Sequence, residues 1–153
     1  MENFHGPRIA IGQLPSTSKW KNVSLKNSTR AILNENGGNT TTGGTLPSNF
    51  SYAGYSARLL TVQEINKACG ITAGHFIVGQ LDTCNYLMEN TAYSYSGTIQ
   101  DIGYWLENAR SDDSLNACLV EGDNRDVSSQ EVDFGASYGV RPAIEVLRSN
   151  ILY

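Results

Sequence analysis

The stretch "ARLLTVQEINKACG", Ala57 to Gly70, constrains the fold more than any other part of the chain. Thr61 and Glu64 have the spacing of a capping box. The hydroxyl can accept from the amide of residue 64, and the carboxylate can reach back to the amide of residue 61. Val62, Ile65 and Cys69 then share one helical face. Gly70 suits the left-handed position that stops a helix. The cap explains Glu64 better than any catalytic role does. A short amphipathic helix with both ends fixed must lay its apolar stripe on something else, and most of the rest of the chain reads as strand.

"RIAIGQL" (Arg8 to Leu14) reads as a strand ended by Pro15, and "WKNVSL" (Trp20 to Leu25) as a second. "STRAILNEN" (Ser28 to Asn36) fits either a strand or a helical turn, and "GGNTTTGG" (Gly37 to Gly44) is a polar loop. Asp82 to Ser94 can hold a second short helix with Leu87 and Met88 in the core. "IGYWLE", "ACLVEG", "RDVSSQEVD" and "YGVRPAIEVL" each read as strands. Helices early and strands late predict one α+β domain over residues 1–153, with the first and last strands close together.

Composition narrows the function. The 153 residues carry a net charge of −4 and only 17% charged side chains, so polarity comes from Ser, Thr, Asn and Gly. No basic stripe is present, which argues against nucleic-acid partners. No apolar run approaches the ~18 residues of a membrane span. "MENFHGPR" has no apolar core of a signal peptide, so either the chain is exported another way or its anchor has been removed, the second being the preferred reading. The three cysteines cannot all pair internally. If the protein is surface-exposed, Cys69 and Cys84 close a short loop, worth about 3 kcal/mol by loop entropy, and Cys118 stays free.

Between "GYWLE" (Gly103 to Glu107) and "YGVRPAIEVL" (Tyr138 to Leu147) lies a bland polar tract with no Lys, Met or Trp. Within it and beside it, Trp105, Ala117, Val120, Val127, Val132, Val140 and Ile144 read as inward framework positions. The side chains between them read as solvent-facing. Loops and outward strand faces on a rigid scaffold tolerate exchange without unfolding.

In order, "ARLLTVQEINKA", "GYWLE" and "YGVRPAIEV" resemble the helix start, tryptophan-bearing strand and final strand of formylglycine-generating-enzyme-like domains, a branch of the C-type lectin fold. The likeness covers roughly residues 57–150. The framework is most similar to variable proteins of diversity-generating retroelements. That resemblance implies a C-type-lectin-like α+β fold with a variable binding region at 108–137. It also implies no enzyme activity and no cofactor. The implied ligand-contacting residues are Asn108, Arg110, Asp112, Asp113, Asn116, Cys118, Asp123, Asn124, Arg125, Asp126, Phe134 and Ser137. The partner would be an external protein or cell-surface ligand, and the location extracellular, at a cell surface or on a phage particle. Adenine-directed mutagenesis of Asn codons never yields Lys, Glu, Gln, Met or Trp; Lys, Met and Trp are absent from the tract, and Glu121, Gln130 and Glu131 would be fixed positions. The alternative is a structural minor-pilin or phage tail-tip domain without a diversified target. A formylglycine-generating enzyme fits less well, because the family's cysteine segment before the last strand is missing. Leu60 stands where the family has proline, and the sugar-binding Glu-Pro-Asn and Gln-Pro-Asp motifs are absent.

Three other features have simpler readings. Arg141, before Pro142, reads as a structural arginine whose rigid fork holds carbonyls or a carboxylate. Asp112, Asp113, Glu121, Asp123 and Asp126 read as solvated carboxylates, since calcium needs converging oxygens. His5 and His75 are too few for a zinc site.

Overall fold

The computed structural model describes residues 5–38, 49–72, 79–88, 93–95, 98–100, 103–122, 124–132 and 138–151. Along them run α1 (His5–Ile11), β1 (Thr29–Ala31), β2 (Asn49–Ser51), α2 (Val62–Cys69), α3 (Asn85–Met88), β3 (Tyr93–Tyr95), β4 (Thr98–Gln100), β5 (Gly103–Ala109), β6 (Asn116–Glu121) and β7 (Asp126–Glu131). A 3-10 turn, Arg148–Asn150, follows. β1 pairs with β2, β3 with β4, and β5, β6 and β7 form a three-stranded sheet, all antiparallel. The chain is α+β, as expected. Among the described residues no helix is long and apolar enough to cross a membrane.

The three-stranded sheet carries a core on each face. Successive side chains of a strand point to opposite faces. Trp105, Ala109, Ala117 and Leu119 therefore join α1, Phe50, Tyr52 and Leu59 on one side. Tyr104, Leu106, Cys118, Val120 and Val127 join Val62, Ile65 and Leu81 on the other. This explains why "GYWLE" and "ACLVE" are near-continuous apolar text rather than an alternation. Gly103 is forced by space: its φ is 116°, and a Cβ there would lie 1.8 Å from the Val120 carbonyl oxygen. Gly6 lets α1 approach Trp105, where a Cβ would come within 2.7 Å of the indole.

α2 forms as its capping signature requires. The Thr61 hydroxyl accepts from the Glu64 amide at 3.1 Å, and Glu64 Oε2 accepts from the Thr61 amide at 3.0 Å. Gly70 is left-handed at φ 67°. Val62 and Ile65 are buried, and Cys69 is joined to Cys84. α3 supplies buried Leu87.

Three expectations are corrected. Arg8–Leu14 is not a strand, because His5–Ile11 is helical. Pro7, Ala10, Ile11 and Leu14 are buried at helical spacing while Ile9 is 67% exposed, and Pro7 is tolerated in a first helical turn. Trp20–Leu25 is turn and coil, with Trp20 41% exposed. Tyr138–Leu147 is extended but makes only two isolated bridges, Gly139 with Tyr104 and Ala143 with Arg58. Pro142 has no N–H to extend the ladder, so the expected closing strand does not form. Its neighbour Ile144, expected inward, is 46% exposed, whereas Val132 and Val140 are partly buried against the first core.

Two charged groups lock the last segment down. Arg141 donates to the carbonyls of Leu87 (3.0 Å) and Tyr86 (2.6 Å), the structural role its sequence suggests. Its guanidinium sits 5.7 Å from the Tyr104 ring centroid. Glu145 accepts from Arg58 Nε at 2.9 Å and from the Lys26 amide at 2.7 Å.

Thiol titration of the denatured, unreduced protein gives one free thiol, Cys118; three would mean that no bridge forms. Trp105→Ala, which empties the first core beside Gly6, costs about 3–5 kcal/mol in chemical denaturation. A loss under ~1 kcal/mol would place Trp105 outside the core.

Candidate functional site

The described residues of the segment, 108–122 and 124–132, run from the end of β5 through β6 and β7. The 110–115 loop joins β5 to β6 at one end, and Gly122, Asn124 and Arg125 lie between β6 and β7 at the other. The six residues of β6 separate them, roughly 17 Å at strand rise. Arg110, Asp112, Asp113 and Asn116 therefore gather at one end, and Asn124 and Arg125 at the other.

The first loop is braced by its own side chains. Arg110 forks onto Asp112, with Nε to Oδ1 at 2.7 Å and Nη2 to Oδ2 at 2.6 Å, and reaches Ser129 Oγ at 3.3 Å. Asp113 Oδ1 accepts from the Leu115 amide at 2.8 Å and Oδ2 from the Asn116 side chain. Such Asx-type bonds fix a turn locally. Glu35, 6% exposed, accepts from the Ser111 amide (2.8 Å) and hydroxyl (2.5 Å). Burial works to raise the Glu35 pKa, but the Ser111 bonds and the Arg110 charge outweigh it and hold the carboxyl below its ordinary value. The Val132 amide donates to the Leu115 carbonyl at 3.0 Å, tying the loop to the end of β7. What the bracing leaves outward is Asp112, Ser114, Leu115 (40% exposed) and, on β7, Glu131.

The second turn leans on the 79–85 segment. The Gly79 and Leu81 amides donate to the carbonyls of Asn124 and Arg125, both at 2.8 Å. Arg125 bonds Asp82 Oδ1 at 2.6 Å and the Asn85 side-chain oxygen. The disulfide then links that segment to α2.

Beside β1 lies a cleft of ≈ 230 Å³ lined by Asn27, Thr29, Arg30, Ala31, Leu33, Thr61, Glu107 and Asn108. Glu107, 2% exposed, takes Arg30 Nε on both oxygens at 2.8 and 2.9 Å. Burial raises the Glu107 pKa in spite of Arg30. The Tyr52 hydroxyl is buried against that carboxylate, and desolvation and the Glu107 charge both push its pKa up. It meets no partner at standard hydrogen-bond geometry among the described residues.

The expected contact set divides. Asp112, Asp113, Asn116, Asn124, Arg110 and Arg125 lie in or beside the loops. Asn108, Cys118 and Asp126 do not face outward, being 1%, 0% and 3% exposed. Asn108 Oδ1 accepts from the Val62 amide, and its Nδ2 donates to the Asn34 carbonyl and to Gln63 Oε1, so its side chain splices α2 to the 34–35 turn. Cys118 is at the centre of β6, and burial pushes its thiol up to about 12. Asp126 lies against Glu121 across the hairpin. Asp123, Phe134 and Ser137 lie outside the described residues. Sequence reasoning missed Glu35 and Arg30. They act on residues more than 70 positions away, so no local pattern marks them. Among the described residues, no group of three His, Cys, Asp or Glu side chains could hold a metal ion.

Compared with family models, curated proteins and solved structures, the chain matches none.

Arg30→Ala strands the buried Glu107 carboxylate and costs about 3–5 kcal/mol near neutral pH. Glu107 already has a folded pKa above 4.5, and losing its cation raises it further. A raised carboxyl contributes stability that is fully present below its unfolded pKa and is lost as pH rises through the folded one. The penalty therefore shrinks on acidification. Denaturant melts at about pH 4 and pH 7 check this; an equal penalty at both would show that Glu107 is not the charge left behind.

Proposed function

We propose that the chain is a non-enzymatic ligand-binding module on a C-type-lectin-like scaffold, with outward positions of 108–137 meeting an external protein or cell-surface ligand. One observation carries this reading: the described residues of the segment divide into structural side chains and outward ones. β5 and the middle of β6 are buried on both faces. Ser114, Leu115 and Glu131 stand outward and have no part in either core. The 110–115 loop keeps its shape through Arg110, Asp113 and Glu35, so outward residues can change without cost to the fold. A braced loop also loses little conformational freedom on binding. The ordered motifs of the final hundred residues support the scaffold assignment, and the Cys69–Cys84 bridge suits an oxidising, extracellular setting.

The reading is tested by sequencing the gene from independent isolates. Substitutions concentrate at codons for outward positions such as 114, 115 and 124, and spare 104–107 and 117–120. Variation spread evenly over both sets would end the proposal. At the protein level, replacing Ser114, Leu115 and Glu131 together by Ala leaves the melting temperature within a few degrees, since exposed changes cost under ~0.5 kcal/mol each. A collapse would assign these side chains to the scaffold.

A further inference from the structure

Glu121 and Asp126 are the closing pair of the β6–β7 hairpin, directly opposite one another in register. Opposed residues in an antiparallel pair project to the same face, with Cβ atoms ~4.5–5.5 Å apart, where like charges repel. Asp126 is 3% exposed, and its Oδ1 has no hydrogen-bond partner among the described residues. Among the described residues no cation answers it. Arg125, next in sequence, sends its guanidinium to Asp82 and Asn85. Asn124 Nδ2 bonds Glu121 Oε2 at 3.0 Å and leaves Asp126 alone. In the same row β5 contributes Gly103, which has no side chain. The other elements packed on that face bring His5 and Arg8 on α1 and Tyr138, and the charge that acts on Asp126 is that of Glu121. A buried carboxylate without donors favours its neutral form.

The turn between the pair is also set under tension. Arg125 has φ 52°, a left-handed conformation uncommon for a non-glycine residue. It is held there by the Gly79 and Leu81 amides and by Asp82.

We propose that the hairpin end closed by Glu121 and Asp126 is a proton-controlled clasp: with Asp126 protonated, Asn124 and Arg125 stay docked on the 79–85 segment, and loss of that proton loosens them. The clasp stands independently of the binding reading, because it is argued from the pairing and burial of Glu121 and Asp126, which that reading does not use. Burial first, and the Glu121 charge second, raise the Asp126 pKa above its ordinary 3.8. By linkage, a raised carboxyl stabilises fully below the unfolded pKa, and the benefit fades as pH rises through the folded one. The tip is therefore tightest in acid.

The test compares the intact, oxidised protein with Asp126→Asn, Glu121→Gln and the double variant, from about pH 3.5 to about pH 7.5. Asp126→Asn keeps the shape and removes the charge. It raises the melting temperature by about 2–4 °C at the upper pH, and the gain disappears at the lower. Glu121→Gln gives a smaller gain, and the double variant gains less than the sum, because either change relieves the same repulsion. Amide exchange locates the effect: protection at Gly79 and Leu81, corrected for intrinsic rates, falls with rising pH in the parent chain and stays flat in Asp126→Asn. The clasp is overturned if the gain is equal at both pH values, if the double variant is additive, or if Gly79 and Leu81 lose protection equally in the Asn variant.

Discussion

The guanidinium of Arg58 is the group on which the arrangement turns. It is 8% exposed and engages Glu64 through both Nη atoms, Glu145 through Nε and the Leu59 carbonyl through Nη1. Glu64 is also the N3 residue of the capping box, so one carboxylate starts α2 and anchors the arginine. Burial works against the Glu64 charge, but the Arg58 and Thr61 bonds outweigh it and hold its pKa below the ordinary value. Its contribution is therefore present above 4.5 and lost as pH falls through the folded pKa. Lysine could not replace this contact, because a point charge cannot fork to two carboxylates and a carbonyl at once.

From that hub the other constraints follow outward. Glu145 is drawn against Arg58 and Lys26, which fixes the last segment although it forms no ladder. α2 is directed onto one face of the β5–β6–β7 sheet, where Asn108 takes up the free amide of Val62. On the other face α1 comes close because residue 6 has no side chain. The sheet is thus sandwiched between two small cores, and polar side chains join the layers where the backbone does not.

This construction bears on function. A scaffold stitched by Arg30 and by buried Arg58, Glu107 and Asn108 needs nothing from the side chains of Ser114 or Leu115. Evolution can change such loop residues freely, which is the physical condition for a surface that varies. It also means that polar identity alone does not mark a contact residue: Asn108 and Asp126 look like loop residues in the text and are interior groups in the fold.

Local rules determined much of this protein. The capping box, the left-handed Gly70 and the short helix that holds Leu87 arise from contacts within a few residues, and the apolar runs of β5 and β6 are visible as text, so the sequence displays them directly. Arg141 was legible too, because a fork beside a proline suits few roles besides holding carbonyls. Tertiary structure decided the rest. The apolar run Ile9 to Ile11 reads locally as a strand, whereas the buried set 7, 10, 11 and 14 has the helical spacing that packs α1 against Trp105. Tyr138–Leu147 has strand composition but finds partners at just two points, because strand formation depends on a neighbouring edge. Whether a polar residue in 108–137 is surface or splice depends on Asn34, Gln63, Glu35 and Glu121. Apart from Glu121 these lie tens of residues away in sequence, and only folding brings them within hydrogen-bond reach.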